Sequence, residues 1–598
     1  MSLTNNRRQD PGGRLSLGQI AAAVLIAAVV LVLVAVYVSV RLGHAIAGTG
    51  EAVPANPFAV LFGVLRGSVT WPGAAGWLVL ALLLVVVAGV VAFFVVVIRR
   101  GRKRRSRVDH AAAYMGRGRD IDDQSEKKTR ATAERLGVTS SIGLPIGVTV
   151  AGAQPLYSSW EDQRITIAGP RVGKTTSMVV PEILAAPGPV VATSNKRDVH
   201  DATRVPRAAV GSVWVLDPQA VAGQTPTWWW NPLSYVRDET KAEELAKHFG
   251  SGSQEPGVRR DAHFDPMGEA LLSCYFLAAA LGGKPITHVW TWLTRPGDTE
   301  AVDILTSEGV PLTADELSGM MNTPEEERGS IYSTARRMAR CLTNRKVAEW
   351  ITPQGPADLR PQFDPAAFVG SMDTLYSLSR EGSGSAGPII TALTVAVTEA
   401  AEDLAARSPK GRLVRPLTCV LDEAANVCRW RDLPSLYSHY GSRGIVIDTV
   451  LQSWSQGCEV WGEAGMKKLW SASNVKVYAG GVAEDGFLES LSKLVGSYDR
   501  LSQSLSTGQG TRSVSSQLHR ERILDVDDLA ALPKGRAVVL ASGSRATLIR
   551  TVPWMAGPHR AAVEASIKEY DPQAVQTLDE AFDELAAVEQ AEAERSAA

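Results

Sequence analysis

The chain has 598 residues, of which 45% are hydrophobic and 21% charged, with a formal net charge of −1. That length holds two to four domains, and the composition suits a globular protein with some membrane content. Five cysteines (Cys274, Cys341, Cys419, Cys428 and Cys458) lie far apart, without a C-x-x-C pair or a histidine at zinc-like spacing. This excludes a disulfide framework or zinc site and fits reduced thiols in a cytoplasmic compartment.

Residues 17–40, apolar except for Gln19 and Ser39, and residues 74–98, apolar throughout, each exceed the roughly 20 residues that cross a hydrocarbon core. The first run is too long for the h-region of a cleaved signal peptide, and a second follows at once. Residues 1–107 are therefore expected to form a membrane anchor of two transmembrane helices. Arg7, Arg8 and Arg14 precede the first span. Arg99, Arg100, Arg102, Lys103, Arg104, Arg105 and Arg107 follow the second, while the loop between holds only Arg41 and Arg66. This asymmetry places both termini and the soluble part on the cytoplasmic side of the inner (cytoplasmic) membrane. The basic cluster reads as a topology signal and a contact for anionic lipid, with guidance of nucleic acid as the rival reading. Residues 108–160 are polar and mixed, and are expected to be a linker with a lead-in strand.

Residues 161–238 open an α/β domain. Arg164-Ile165-Thr166-Ile167 is a β-branched run, Ala168-Gly169-Pro170-Arg171-Val172-Gly173 a turn, and Lys174-Thr175-Thr176 the start of an apolar helix. Strand, glycine loop and helix in this order make a phosphate-binding P-loop. Backbone N–H groups of the loop and the positive helix end suit the β-phosphate of ATP, Lys174 its β/γ oxygens, and the Thr175 hydroxyl Mg²⁺. The pattern G-x-x-x-x-G-K-S/T asks for glycine where Ala168 stands, with Gly169 one place later. Apolar strands follow at 188–194, leading into Lys196-Arg197-Asp198, and at 212–216. Trp228-Trp229-Trp230 reads as packing, with base stacking as the rival. Residues 239–350 switch to helical periodicity and are expected to form an all-α domain; Arg336, Arg337, Arg340 and Arg345 read as a solvated face or a nucleic-acid path.

The α/β pattern resumes over 351–560. Leu417-Thr418-Cys419-Val420-Leu421 ends in Asp422-Glu423, a Walker B pattern in which Asp422 holds Mg²⁺ and Glu423 polarises the attacking water. The next apolar strand ends in Gln452, an amide placed to sense the γ-phosphate. Residues 501–517, rich in Ser, Gln and Gly, are expected to be a surface loop. Residues 561–598 are acidic and are expected to be a solvated or disordered tail, or a docking segment for a basic partner.

Taken together, the two spans, the P-loop running into Val179-Val180-Pro181-Glu182-Ile183-Leu184, the helical insert, Leu421-Asp422-Glu423-Ala424 and Leu451-Gln452-Ser453-Trp454-Ser455-Gln456 resemble the type IV secretion coupling proteins, the TraG/TraD-like conjugative ATPases. The resemblance covers nearly the whole chain, and alanine at the first P-loop position also occurs in that family. It implies a RecA-like nucleotide-binding domain with an inserted all-α domain, a homo-hexamer with ATP between neighbours, and delivery of a relaxase-bound single DNA strand to the secretion channel. A ring of this kind needs a cation reaching the γ-phosphate of the next subunit. Arg443 is the first candidate and Arg380 the second. Two other functions stay open: an FtsK-like translocase of double-stranded DNA, and a membrane adaptor that binds ATP and recruits secreted protein substrates without pumping.

Overall fold

The computed structural model describes residues 33–85, 107–254, 261–380, 386–508 and 511–597. The chain divides into two compact units, one comprising Arg107–Ser497 with Arg522–Glu589 and the other Met1–Ser106, Tyr498–Glu521 and Gln590–Ala598.

In the larger unit the chain first lays down β1 (Leu144–Thr149) and β2 (Pro155–Ser158), so the stretch expected as linker and lead-in contributes a pair of strands to the sheet. β3 (Arg164–Ile167) runs into the P-loop, a π-helical turn (Thr175–Val179) and α1 (Val180–Ala185). β4 (Val190–Ser194), α2 (Asp198–Ala208) and β5 (Val213–Leu216) follow. From there to β6 (Thr374–Leu378) the described residues form helices and no strand; the longest are α3 (Glu239–Gly252), α4 (Phe264–Leu281) and α5 (Glu325–Met338). α6 (Gly387–Arg407) leads to β7 (Leu417–Leu421), α7 (Leu433–Arg443) to β8 (Ile445–Leu451), and α8 (Trp454–Ala472) to β9 (Val475–Tyr478). After α9 (Asp485–Val495) come β10 (Ser497–Gly508) and β11 (Thr511–Arg522), then β12 (Arg536–Ala541) and β13 (Thr547–Arg550), α10 (Arg560–Tyr570) and α11 (Ala574–Ala597).

Eleven strands make one sheet in the order β2-β1-β13-β12-β9-β3-β8-β7-β4-β6-β5. Every neighbour from β9 to β5 is parallel, and every neighbour from β9 outward through β12, β13 and β1 to β2 is antiparallel. The fold is thus mixed α/β. In β3, β4, β6, β7 and β8 every residue is buried, as parallel strands covered on both faces require. Val179 and Ile183 from the P-loop helix pack there on Val190, Ala192, Tyr376, Val420 and Val450. The C-terminal ends of β3, β7 and β8 then share one rim, where open α/β sheets bind ligands.

The acidic C-terminal segment departs from its expected form as a solvated tail. Leu578, Ala581, Phe582 and Leu585 of α11 recur at i, i+3, i+4 and i+7, and they pack with Val563 and Ile567 of α10 against Val180, Ala202, Trp554 and Met555. Ser566 Oγ also accepts the Val205 N–H at 3.1 Å. Asp579, Glu580, Asp583 and Glu589 are exposed, so a composition count hides an amphipathic helix.

In the smaller unit, helical segments cover 33–47, Pro57–Arg66 and 73–85, with Val40, Val60 and Val69 buried together. Among the described residues no helix is long and apolar enough to cross a membrane. Residues 17–32 and 86–98, most of both expected spans, lie outside the described residues. The segment expected as a surface loop at 501–517 is a two-stranded sheet of β10 and β11. The glycines that argued for a loop sit only at positions 508 and 510, while Ser and Thr along the strands tolerate extended backbone.

Candidate nucleotide site

β3 lies between β8 and β9, with Ile167 opposite Leu451 on one side and Tyr478 on the other. The loop leaving β3 stays pinned to both neighbours. The Ala168 N–H donates to the Leu451 carbonyl at 2.9 Å and the Gly169 N–H to the Gly480 carbonyl at 2.9 Å. A Cβ on Gly169 would stand 2.0 Å from the Gly481 carbonyl oxygen, so only glycine fits there. The methyl of Ala168 is buried without such a conflict. The steric demand behind the motif therefore falls at position 169, which explains the displaced glycine. Pro170 and Arg171 are exposed at the tip, and Val172 is half-buried. Arg171 (φ 60°) and Gly173 (φ 85°) are left-handed while Lys174 is right-handed helical, the alternation that forms an anion-binding nest. The Ser177 N–H donates to the Gly173 carbonyl at 2.9 Å and the Thr176 hydroxyl to the same oxygen at 3.1 Å, which starts the helix.

Three more elements converge on Lys174. Its ammonium pairs with Asp422 Oδ1 at 3.2 Å and with Glu423 Oε1. The Gln452 amide, from the end of β8, donates to both Glu423 oxygens at 2.7 and 2.8 Å, and Asn426 adds a bond to Oε2 at 3.3 Å. Glu423 itself is left-handed (φ 54°, ψ 42°), a conformation that costs a non-glycine residue about 1–3 kcal/mol and collects at functional sites. Burial pulls the Lys174 ammonium down, but Asp422 and Glu423 together raise it above its ordinary range, so it stays charged. Burial pushes the Asp422 carboxyl up to about 7, with Lys174 opposing. Asp422 Oδ1 is buried and is held by the ion pair with Lys174 rather than by a hydrogen bond. A carboxylate oxygen is the donor that a hard, oxygen-seeking cation takes, which is compatible with the metal role expected of Asp422. Thr175, its expected co-ligand, opens the π-helical turn directly after Lys174 and is half-buried.

Beneath this cluster lies a second one. Arg164 of β3 pairs with Glu182 of α1 at 2.8 Å and with Asp448 of β8 at 3.7 Å, and the Thr166 hydroxyl donates to Asp448 at 3.1 Å. Burial holds Glu182 well above the carboxylate range against the pull of Arg164. The P-loop strand, its helix and the strand carrying Gln452 are thereby tied together. The signal was present in the sequence as three charged residues inside otherwise apolar runs.

Other candidates lie elsewhere. Arg443 ends α7, is ion-paired with Glu402, and stands at the opposite end of β8 from Gln452, about 20 Å away by strand rise. Arg380 is exposed beyond the C-terminal end of β6, with its N–H bound to Gln219 Oε1 at 2.7 Å. Trp228 packs on Trp214 at 5.6 Å and Phe363 at 5.3 Å, as core rather than as a base platform. Arg337 is held by Asp265 at 2.6 Å. Asp198, named in the sequence without a role, lies close enough to Lys174 for their charges to interact.

Residues 416–534 match the family model described as the TraM recognition site of TraD and TraG. The segment begins one residue before β7 and carries Asp422, Glu423 and Gln452. The bacterial conjugative coupling protein TrwBdeltaN70, in its trigonal form with sulphate, superposes with a TM-score of 0.52 at 16% identity, covering 70% of this chain and 92% of that one. The resemblance to type IV secretion coupling proteins holds. The plasmid coupling protein TrwB in complex with the non-hydrolysable GTP analogue GDPNP gives a TM-score of 0.50, with the same identity and coverage. At this identity the likeness to these coupling proteins is one of fold. No curated protein matches the chain in sequence.

Proposed function

We propose that the chain is a membrane-anchored ATPase that couples a relaxase-bound single DNA strand to a type IV secretion channel, working as a homo-hexamer. One observation carries this reading. Lys174, Asp422, Glu423 and Gln452, from three separate strand ends, meet on the C-terminal rim of a sheet with the coupling-protein fold. TrwB has been seen with a non-hydrolysable GTP analogue, which supports a nucleoside triphosphate as the ligand of loop 168–176 here, proposed to be ATP. Thr175 and Asp422 are the residues that would hold Mg²⁺, whose charge neutralises the phosphates.

The residues divide the chemistry as follows. The Lys174 ammonium exchanges its two carboxylate partners for phosphate oxygens. Glu423, released from the lysine, accepts the proton of the attacking water on a carboxylate oxygen, while Gln452 and Asn426 keep that carboxylate oriented. Gln452 is followed by Ser453, the N-cap of α8, so a change at Glu423 reaches the first part of that helix, which is broken at Gly462 (φ 68°, ψ 168°). Arg443 lies too far from its own P-loop to serve it, as a group acting on a neighbouring copy must, and Arg380 is the second candidate. The anchor at 17–40 and 74–98 holds the motor on the cytoplasmic side of the inner membrane. The segment matching the TraM recognition site is proposed to contact relaxosome or other secreted-substrate proteins.

The test is ATP hydrolysis by the full chain in detergent, with single- or double-stranded DNA and with Glu423→Gln as the blank. Stimulation favouring single strands is expected. Preference for duplex would transfer the assignment to an FtsK-like translocase, and no turnover with either DNA to a recruiting adaptor.

A further inference from the structure

The C-terminal helix reaches the phosphate-binding loop. Glu584 of α11 places Oε1 3.8 Å from where a Cβ on Gly173 would stand, beside the residue preceding Lys174. The same oxygen is ion-paired with Lys534, in the turn that enters β12. That turn is fixed on both sides. Val588 of α11 lies 3.2 Å from the Cβ position of Gly535, and Arg536 forms a two-bond ion pair with Asp109 at 2.7 and 3.2 Å. α11 is in turn seated on Val180 and Leu184 of α1, the helix that continues from the loop. One helix therefore lies beside the phosphate loop, packs on the helix leaving it, and holds Lys534 through Glu584.

The ion pair is half-exposed, with Lys534 at 43% and Glu584 at 32%. Pairs of this kind contribute little to stability. A carboxylate next to a loop built to hold anions raises the free energy of a bound polyphosphate, and a lysine next to it lowers it. The pair is thus poorly suited as a structural staple and well suited to exchange.

Resting on the nucleotide reading above, we propose that Lys534 is a further phosphate-contacting residue of the site and that Glu584 is its gate. Glu584 holds the lysine and places negative charge at the loop. An arriving nucleoside triphosphate takes the lysine and displaces the carboxylate, so the C-terminal helix opposes occupancy of the site it covers.

Equilibrium binding of ATP to the full chain tests this, with Glu584→Gln, Lys534→Ala and the double variant, and with the denaturation midpoint recorded for each. Glu584→Gln is expected to bind ATP about 3–10-fold more tightly and Lys534→Ala about 10-fold more weakly, from one charge moved at close range across a partly solvated gap. The double variant should bind ATP more tightly than Lys534→Ala and more weakly than Glu584→Gln, because the carboxylate opposes phosphate directly as well as holding the lysine. Lys534→Arg should retain most of the affinity. Unchanged or weaker binding by Glu584→Gln, or wild-type binding by Lys534→Ala, overturns the proposal. So do shifts in midpoint without shifts in affinity, which mark a staple. A wild-type chain that binds no ATP overturns the proposed function and this inference together; one that binds, with variants indistinguishable from it, overturns this inference alone.

Discussion

Two clusters of one cation between two carboxylates lie along the same strand and helix, and they differ in nearly every physical respect. In the lower one, Arg164 between Glu182 and Asp448, the arginine is 1% exposed and the acids are sealed. In the upper one, Lys174 between Asp422 and Glu423, the lysine keeps 14% exposure and stands at the end of a flexible stem. Arginine offers several donors in a rigid fork, and Arg164 uses a further one on the Pro145 carbonyl at 3.2 Å. Lysine is a point charge that can change partners. The comparison separates a foundation, whose charges are fixed by burial, from a site whose charges are positioned for exchange. Substitutions should divide accordingly: those in the upper cluster cost function and those in the lower cost stability.

The largest expected effect is that of Lys174→Ala, which removes the only cation paired with Asp422 and Glu423 among the described residues. ATP affinity should fall at least 100-fold in equilibrium binding. Glu423→Gln keeps the shape and removes the base. Binding should persist and hydrolysis fall by about 10²–10⁴-fold, the usual contribution of a general base. Normal turnover by that variant would end the assignment of Glu423. In the foundation, Arg164→Met leaves Glu182 and Asp448 without their buried partner. Removing one partner of a buried pair costs about 3–5 kcal/mol, readable as a lowered midpoint in urea. An unchanged midpoint would show that the lower cluster is not a foundation at all.

How far this contrast could be read in advance depended on distance along the chain. The P-loop, Asp422-Glu423 and Gln452 were each legible because an apolar run ends abruptly in a polar residue, a local signal. That β8 lies between β3 and β7, bringing Gln452 onto Glu423, follows from pairing across more than 250 residues and is written in no short window. The left-handed Glu423 and the Asn426 bond to it depend on the turn after β7, which propensity does not reveal. Arg164, Glu182 and Asp448 were visible as charges in buried runs, but only the sheet order shows that they meet. In α11 the acids mask the spacing of Leu578, Ala581, Phe582 and Leu585, so the composition conceals what the periodicity carries.

A third buried group tests the premise from another direction, and its effect is the smallest. His248 of α3 is buried with its Nε2 unbonded, and burial pulls its imidazole down to about 4, with Glu244 opposing and Arg431, Lys241 and Lys247 adding to the fall. Where Arg164 answers burial by pairing, His248 answers it by giving up its proton. The folded chain then binds fewer protons than the unfolded chain at pH values between about 4 and the ordinary histidine value of 6.5. Stability from this residue is therefore complete above about 6.5 and is lost as pH falls toward 4, at about 1.4 kcal/mol per unit within that window. Urea midpoints measured at pH 7, 6 and 5 should decline in the wild-type chain, and His248→Leu should flatten the part of that decline which Arg164→Met leaves in place. Equal slopes in wild type and His248→Leu would mean that the imidazole keeps its proton in the fold, and that burial without a partner is tolerated here at a charge the lower cluster needs two carboxylates to hold.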